Sequence, residues 1–315
     1  MELKNKKILV TGAGGFIGSN LIEELIKKGG EISAFLNNPQ SLDRLKEIPN
    51  WQEKIEIIFG DLRDFEQVKK AIKGKDVVFH LGALISASDS SKSPRSYFET
   101  NCLGTLNVLI ASKEENVKKI LISSTSQVYG KEEYNPINEN HPLNPLSIYA
   151  ASKISAEKFS ESFYHSYNLP VSIIRLFNVF GPRQSIEPLI PALISRGLKD
   201  EKIDITNLDA RRDFIYVKDA VNAFIQIAES ENSNGETFNI GSGTAHSIKE
   251  ILDMLSLMLN KELLKNVNLK NLEKGNETLL ICDNKKAEKL IGWKPIYSFE
   301  EGLTETVNYL RGKLL

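Results

Sequence analysis

Short apolar runs and amphipathic stretches alternate through the first half of the chain. Lys7–Val10, Glu31–Leu36, Ile55–Phe59 and Asp76–Leu81 are brief runs rich in Ile, Val, Leu and Phe, and each predicts a strand. Between them, Phe16 to Lys28 sets Phe16, Ile17, Leu21, Leu25 and Ile26 at helical spacing, and Asp64 to Lys73 predicts a second helix. The alternation continues with a long helix around Pro94–Glu115, a strand at Lys119–Ser124, a helix from Tyr149 to Tyr167 and a strand at Val171–Leu176. Repeated strand-helix-strand units of this length imply an α/β fold, a doubly wound parallel sheet with helices on both faces. Ligands of such a sheet lie beyond the C-terminal ends of its strands.

After Gly181-Pro182 the pattern loosens. Prolines 182, 188 and 191 punctuate a loop and a helix, Asp213–Val217 resembles a short strand, and helices follow near Val217–Glu229, Ser247–Leu259 and Phe299–Leu310. This divides the chain into a cofactor-type Rossmann unit over 1–180 and a smaller, partly interwoven substrate lobe over 181–315. The length of 315 residues fits that division, at roughly 150 residues per domain. It also suffices for a large core without disulfides or a structural metal.

Charge and cysteine content narrow the setting. With 40 Lys+Arg against 41 Asp+Glu, the net charge of −1 gives no electrostatic case for nucleic acid or an anionic membrane. Cys102 and Cys282 are far apart and fit no disulfide framework, which points to a reducing, cytoplasmic setting. The apolar run Ile8-Leu9-Val10 is too short for a signal peptide, and no stretch has the length of a membrane span. The four histidines, His80, His141, His165 and His246, show no metal-ligand spacing, so no metal site is expected.

The stretch Thr11-Gly-Ala-Gly-Gly-Phe-Ile-Gly18 lies where the first strand turns into the first helix. Gly12 suits a tight turn, Gly15 a close backbone approach to a pyrophosphate, and Gly18 close packing of helix on strand. The helix start then offers free N–H groups and its positive dipole end to phosphates, which predicts a dinucleotide site. At the end of the second strand, Phe35-Leu36-Asn37-Asn38 carries no charge. An acid there would mark NAD and an arginine NADP. The absence of a cation favours NAD without excluding NADP, with Asn37 on the ribose or the two asparagines merely shaping a turn. Asp61, in Gly60-Asp61-Leu62, is placed to meet the adenine.

Tyr149 and Lys153 are one helical turn apart at the start of a predicted helix and share a face. A nearby ammonium and a nicotinamide cation would lower the tyrosine pKa, making the phenolate a base towards a sugar hydroxyl. Ser123-Ser124-Thr125 ends a strand at the same edge and supplies a hydroxyl to share that proton.

These motifs together resemble the extended short-chain dehydrogenase/reductases, in particular the nucleotide-sugar epimerase/dehydratase group. The resemblance runs through nearly the whole chain, including His80-Leu-Gly-Ala83, Asn101-Cys-Leu-Gly-Thr-Leu-Asn-Val108, Phe177-Asn-Val-Phe-Gly-Pro-Arg-Gln184, Arg212-Asp-Phe-Ile-Tyr-Val217 and Gly292-Trp-Lys-Pro295. Phe98-Glu-Thr-Asn101 and Ile281-Cys-Asp-Asn284 look most like 4,6-dehydratases of UDP- or GDP-linked amino sugars. The resemblance implies that Tyr149 is the base for hydride transfer from sugar C4, with Thr125 assisting and Lys153 holding the nicotinamide ribose. It implies cofactor contacts from Gly12, Gly15, Phe16, Ile17, Gly18, Asn37, Asp61, Leu62, Leu81, Ala83, Asn101 and Ser123. It assigns substrate contacts to Asn178, Arg183 and Arg212, the last of which could instead form a surface salt bridge with Asp213 or Asp209. A homodimer is implied through the helices around 94–115 and 149–167, where Leu103, Leu106, Leu109 and Ile110 could serve the interface or the core.

Two positions depart from the family pattern. Dehydratases carry Glu two residues after the catalytic Thr, to remove the C5 proton; here Gln127 stands there, and an amide cannot accept a proton. That favours an epimerase that oxidises C4 and returns the hydride to the other face, or a 4-keto reductase, over a 4,6-dehydratase. Many relatives also carry a second phosphate-binding Arg before the Asp-x-x-Lys stretch; here the cation is Lys274, a point charge without the guanidinium fork. A cofactor-binding regulatory protein without chemistry is the remaining alternative, opposed by the intact Thr125, Tyr149 and Lys153.

Overall fold

The computed structural model describes residues 1–269 and 279–315. Twelve strands are seen among them: β1 Lys7–Thr11, β2 Glu31–Leu36, β3 Ile55–Phe59, β4 Val77–His80, β5 Lys119–Thr125, β6 Val171–Leu176, β7 Asn178–Phe180, β8 Ile203–Ile205, β9 Arg211–Tyr216, β10 Thr237–Ile240, β11 Ala245–Ser247 and β12 Val267–Leu269. Seven of them form one parallel sheet in the order β10-β6-β5-β4-β1-β2-β3. From β1 the chain winds outward through β2 and β3, then returns to β4 and winds the other way. The strand order therefore reverses between β1 and β4, where a ligand crevice opens in such sheets.

Strand periodicity explains the two faces. Ile8 and Val10 enter one core, with Leu21, Ile22 and Leu25 of the Phe16–Lys27 helix and Phe224 of the Val217–Glu229 helix. Leu9, between them, enters the other, with Val68 and Ile72 of the Phe65–Ile72 helix and Val108 and Leu109 of the Gly104–Glu114 helix. Sheet alternation thus separates the core into two layers. The helix carrying Tyr149 runs over Ile148–Tyr167, started by the Ser147 hydroxyl accepting the Ala150 N–H at 3.1 Å and ended by Asn168 in the left-handed region. The serine cap puts Tyr149 in the first turn, above the C-terminal end of the sheet.

The structure corrects the sequence reading in several places. The expected single helix over 94–115 is three segments: Pro94–Tyr97, a π-helical stretch Phe98–Leu103, and Gly104–Glu114. The strand near 213–217 runs over Arg211–Tyr216, where it is the middle of a three-stranded sheet, β11-β9-β7. β8 pairs with β12. β10, unread in the sequence, crosses back to the edge of the main sheet beside β6. No helix among the described residues is long and apolar enough to cross a membrane, and no cluster of potential metal ligands is found among them.

Candidate active site

The crevice between β1 and β4 is built largely from backbone. Gly12 has a φ of +67°, and a Cβ there would lie 2.7 Å from the Gly82 nitrogen. A Cβ on Gly18 would meet the Gly12 carbonyl oxygen at 2.2 Å, so the missing side chain lets the first helix settle directly on the turn. Gly15, exposed, sits at the N-cap of that helix with no side-chain cap, leaving the first-turn N–H groups to a ligand. These features fit a dinucleotide pyrophosphate. Phe16 and Ile17 are half-buried behind it, and Leu81 and Ala83 are half-buried beyond β4.

A buried polar chain links this turn to the helix bearing Tyr149. The Thr105 hydroxyl donates to the Asn101 carbonyl at 2.6 Å, so towards His80 it can only accept, and His80 Nε2, 3.0 Å away, must carry the proton. His80 Nδ1 is then the acceptor for the Thr11 hydroxyl at 2.7 Å, and that oxygen accepts the Gly82 N–H at 3.1 Å. Complete burial and the nearby Lys153 charge push the His80 pKa down to about 3, keeping the ring neutral. Asn101, in the π-helical stretch, donates to the Leu84 carbonyl and to the Ser152 hydroxyl, both at 2.9 Å, and accepts the Leu84 N–H at 2.8 Å. Ser152 in turn donates to the Tyr149 carbonyl at 2.7 Å. Asn101, expected among the cofactor contacts, thus has its amide engaged in holding the β4 loop against the catalytic helix.

Tyr149 and Lys153 are both buried, and the Tyr149 phenol hydrogen-bonds Thr125, the last residue of β5. Burial pushes the Tyr149 pKa up to about 12, with the Thr125 bond opposing and the neighbouring Tyr97 adding to the rise. The protein alone therefore does not lower this pKa as the sequence reading expected: desolvation outweighs the Thr125 hydrogen bond. Burial also pushes the Lys153 amine down to about 8, opposed by Glu157 and Cys102. Ser123 is half-buried at the same strand end. Gln127 is exposed, with its backbone N–H donating to Thr125 Oγ1 at 3.2 Å.

At the end of β2, Asn38 accepts the Ser41 N–H at 3.1 Å and shapes the turn, while Asn37 is exposed. The uncharged end of β2 is not free of cations in space. Arg44 folds back to donate to the Gly14 carbonyl at 3.2 Å and to the Arg183 carbonyl at 2.7 Å. Asp61, just past β3, is paired with Arg63 at 2.5 Å, and that bond holds its carboxyl below the usual range. Leu62 is half-buried beside it, accepting from Asn107 at 2.8 Å.

The residues expected to hold substrate are divided. Asn178 is exposed on β7 and donates to the Asp213 carbonyl at 2.9 Å. Arg212 is exposed on β9 and forms no ion pair among the described residues, so the salt bridge to Asp213 or Asp209 is absent. Asp213 is instead buried and accepts from Ser242, Gly243 and Cys282. Arg183 has its guanidinium ion-paired with Glu23 at 2.7 Å and Glu47 at 3.4 Å, beside the first helix. Lys274 lies outside the described residues.

Sequence reading missed Thr105, Ser152 and Glu157. Only Glu157 carried a usable signal, standing four residues after Lys153 and so on the same helical face.

A family model described as GDP-mannose 4,6 dehydratase matches residues 9–306. The UDP-N-acetylglucosamine 4-epimerase of Methanobrevibacter ruminantium M1, solved in complex with UDP-N-acetylmuramic acid, is similar with a TM-score of 0.91 and 35% identity, over 98% of this chain and 99% of that one. A UDP-glucuronic acid 4-epimerase from Bacillus cereus, solved with UDP-glucuronic acid and NAD, is similar with a TM-score of 0.89 and 29% identity, over 98% and 99%. A UDP-glucuronate 4-epimerase of Thermodesulfobacterium geofontis is 32% identical, over 96% of this chain and 95% of that protein.

Proposed function

Since the chain belongs to the extended short-chain dehydrogenase/reductases, in the group of nucleotide-sugar epimerases and 4,6-dehydratases, we propose that it is an NAD-dependent nucleotide-sugar epimerase acting through transient oxidation at sugar C4. The observation that carries this reading is the buried Thr125–Tyr149–Lys153 face with an exposed amide, Gln127, where a dehydratase needs a carboxylate. Bound NAD would accept a hydride from C4 and return it to the opposite face of the sugar.

Tyr149, aided by Thr125, takes the C4 hydroxyl proton as the ketone forms and gives it back when the alcohol is restored. Because burial alone holds this phenol near 12, its activation depends on the cationic surroundings that a bound oxidised cofactor completes. The glycine turn and the uncapped helix start would hold the pyrophosphate, and Lys153 the nicotinamide ribose. Asn178 and Arg212 would hold the substrate diphosphate, Arg212 through two parallel hydrogen bonds. The relatives named above act on or bind UDP-sugars, which supports a UDP-sugar substrate.

In this reading 1–180 is the cofactor unit and 181–315 mainly the substrate lobe, with the Val217–Glu229 helix and β10 returning to the first. The enzyme works as a cytoplasmic homodimer. Free, buried Cys102 and Cys282 suit a reducing compartment. Exposed Phe98 and Phe159 and half-buried Leu103, Leu106 and Ile110 suit the helix-paired interface, whereas Leu109 is in the core.

The test is incubation with UDP-, GDP-, CDP- and dTDP-sugars, with products identified by mass and NMR. The expected product has unchanged mass and inverted C4, with no net consumption of NAD. Loss of one water would make the enzyme a dehydratase, and stoichiometric consumption of reduced cofactor a 4-keto reductase.

A further inference from the structure

Beneath the catalytic pair lies a buried ion pair with no part in the chemistry just outlined. Glu157 lies one helical turn past Lys153 and two past Tyr149, with its side chain fully buried. Its carboxylate accepts the Ser124 hydroxyl at 2.5 Å and both Nε and Nη2 of Arg175, the latter at 2.7 Å. Arg175, on β6, also donates to the Tyr129 hydroxyl at 2.9 Å, and Tyr129 donates to Asn239 on β10 at 2.5 Å. Ser124 and Arg175 are paired across β5 and β6, so the clamp is tied to the strand that ends in Thr125.

Stability alone gives weak grounds for such a pair. Removing two charges from water costs several kcal/mol per ion, and a well-packed apolar pair often does as well. The surroundings of Lys153 supply a better reason. The titratable and charged groups around it are Tyr149 and Glu157 on its own helix, Tyr97 and Cys102 from the segments before Gly104, His80 at the end of β4 and Arg175 on β6. Asp89 and Glu161 are engaged on the surface by Lys92 and Lys158. His80 is neutral, and burial raises the Cys102 thiol and the Tyr149 phenol. Glu157 is therefore the anion closest in role to a counter-ion for an ammonium that burial disfavours.

We propose that Glu157, clamped by Arg175 and Ser124, is a positioning residue that keeps Lys153 charged at the catalytic face. This rests on the reading of Tyr149 and Lys153 as that face. Arg175 holds the carboxylate in one orientation, and its own charge, opposed by burial, is sustained by Glu157.

The test uses Glu157→Gln combined with Arg175→Met, because Glu157→Gln alone strands the arginine charge. In the double variant neither half of the clamp is left as a stranded charge, the amide still accepts from Ser124, and Lys153 alone loses its counter-ion. Lysine side chains labelled with nitrogen-15 are titrated by NMR, with the Lys153 signal identified by its loss in Lys153→Met, and kcat/KM is measured against pH. Both the Lys153 titration and the alkaline limb of the profile should move down by about one pH unit, a tenfold change in its charged-to-neutral ratio. Glu157→Asp, which keeps the charge, should restore most of the shift. A Lys153 titration unchanged in a natively folded double variant overturns the proposal and leaves Glu157 as packing. A shifted titration in a protein with no turnover on any nucleotide sugar, wild type included, supports the charge coupling while the epimerase reading fails.

Discussion

The two sides of the cleft are made from different materials. The cofactor side is backbone and buried polar chain: Gly12 and Gly18 clear space, and Thr11, His80, Thr105, Asn101 and Ser152 link the turn to the catalytic helix. The side proposed for the substrate is side chain on a small sheet, with Asn178 and Arg212 both exposed on β7 and β9. A rigid cradle suits a cofactor held through the whole cycle, whereas exposed polar groups suit a ligand that enters and leaves. Substitutions on the first side should therefore damage chemistry or stability, and those on the second should damage substrate affinity alone.

The largest effect is expected at the chemistry itself. Tyr149→Phe removes the proposed proton acceptor and should lower kcat by about 10²–10⁴-fold. Cofactor binding should survive, since the cradle is untouched; turnover that persisted in this variant would remove Tyr149 from its assigned role. Next comes the cradle. Gly18→Ala drives a Cβ into the Gly12 carbonyl, and the helix must shift at a cost of about 1–3 kcal/mol. Thermal melts with and without NAD should show a lower Tm and a smaller stabilisation by NAD. Gly312→Ala, in the C-terminal helix with open space around it, is the control and should raise stability by up to about 1 kcal/mol. Equal responses of Gly18 and Gly312 would mean that the glycine turn does not depend on the missing side chain at Gly18.

The same contrast decides what could be read from the chain. The glycine turn, the Tyr149–Lys153 spacing and most strands of the main sheet were legible because their determinants are local: a turn that tolerates no Cβ, one helical turn between two side chains, alternation along a strand. Strands β7, β8, β10, β11 and β12 were not, because short strands are decided by their neighbours and carry little pattern of their own. The ion pairs of Arg183 were unread for a related reason. Its sequence context resembled a substrate loop, but Glu23 and Glu47, far away in the chain, hold its guanidinium. Arg44 was passed over because its approach to Gly14 depends on how the segment after β2 folds back. The dependence of the Tyr149 pKa on burial was likewise invisible, since residue spacing carries no information on desolvation.

On the proposed substrate side, Arg212→Ala should leave stability unchanged, within about 0.5 kcal/mol, because the side chain is exposed. The KM for the nucleotide sugar should rise about 10–100-fold, the scale of charge-assisted hydrogen bonds lost from a phosphate, with kcat little altered. Arg212→Lys should recover only part, since an ammonium cannot make the paired contact. A fall in Tm with no change in KM would mark Arg212 as structural and break the distinction between the two sides.

The smallest effect is expected where the two sides meet. Gln127 is exposed, and only its backbone is tied to Thr125, so Gln127→Glu should fold as the native protein does, within about 0.5 kcal/mol. On the proposed reading the C4 chemistry belongs to Thr125, Tyr149 and Lys153, so the epimerised sugar should remain the main product. A carboxylate at this position can take a C5 proton that the amide cannot, so mass spectrometry should reveal a minor product lighter by one water. If no such product forms, the amide is not what separates the two reactions in this chain, and the shape of the sugar pocket must do so. Water loss already seen with Gln127 in place would mean that another base reaches C5, and the transient ketone would then lead to elimination.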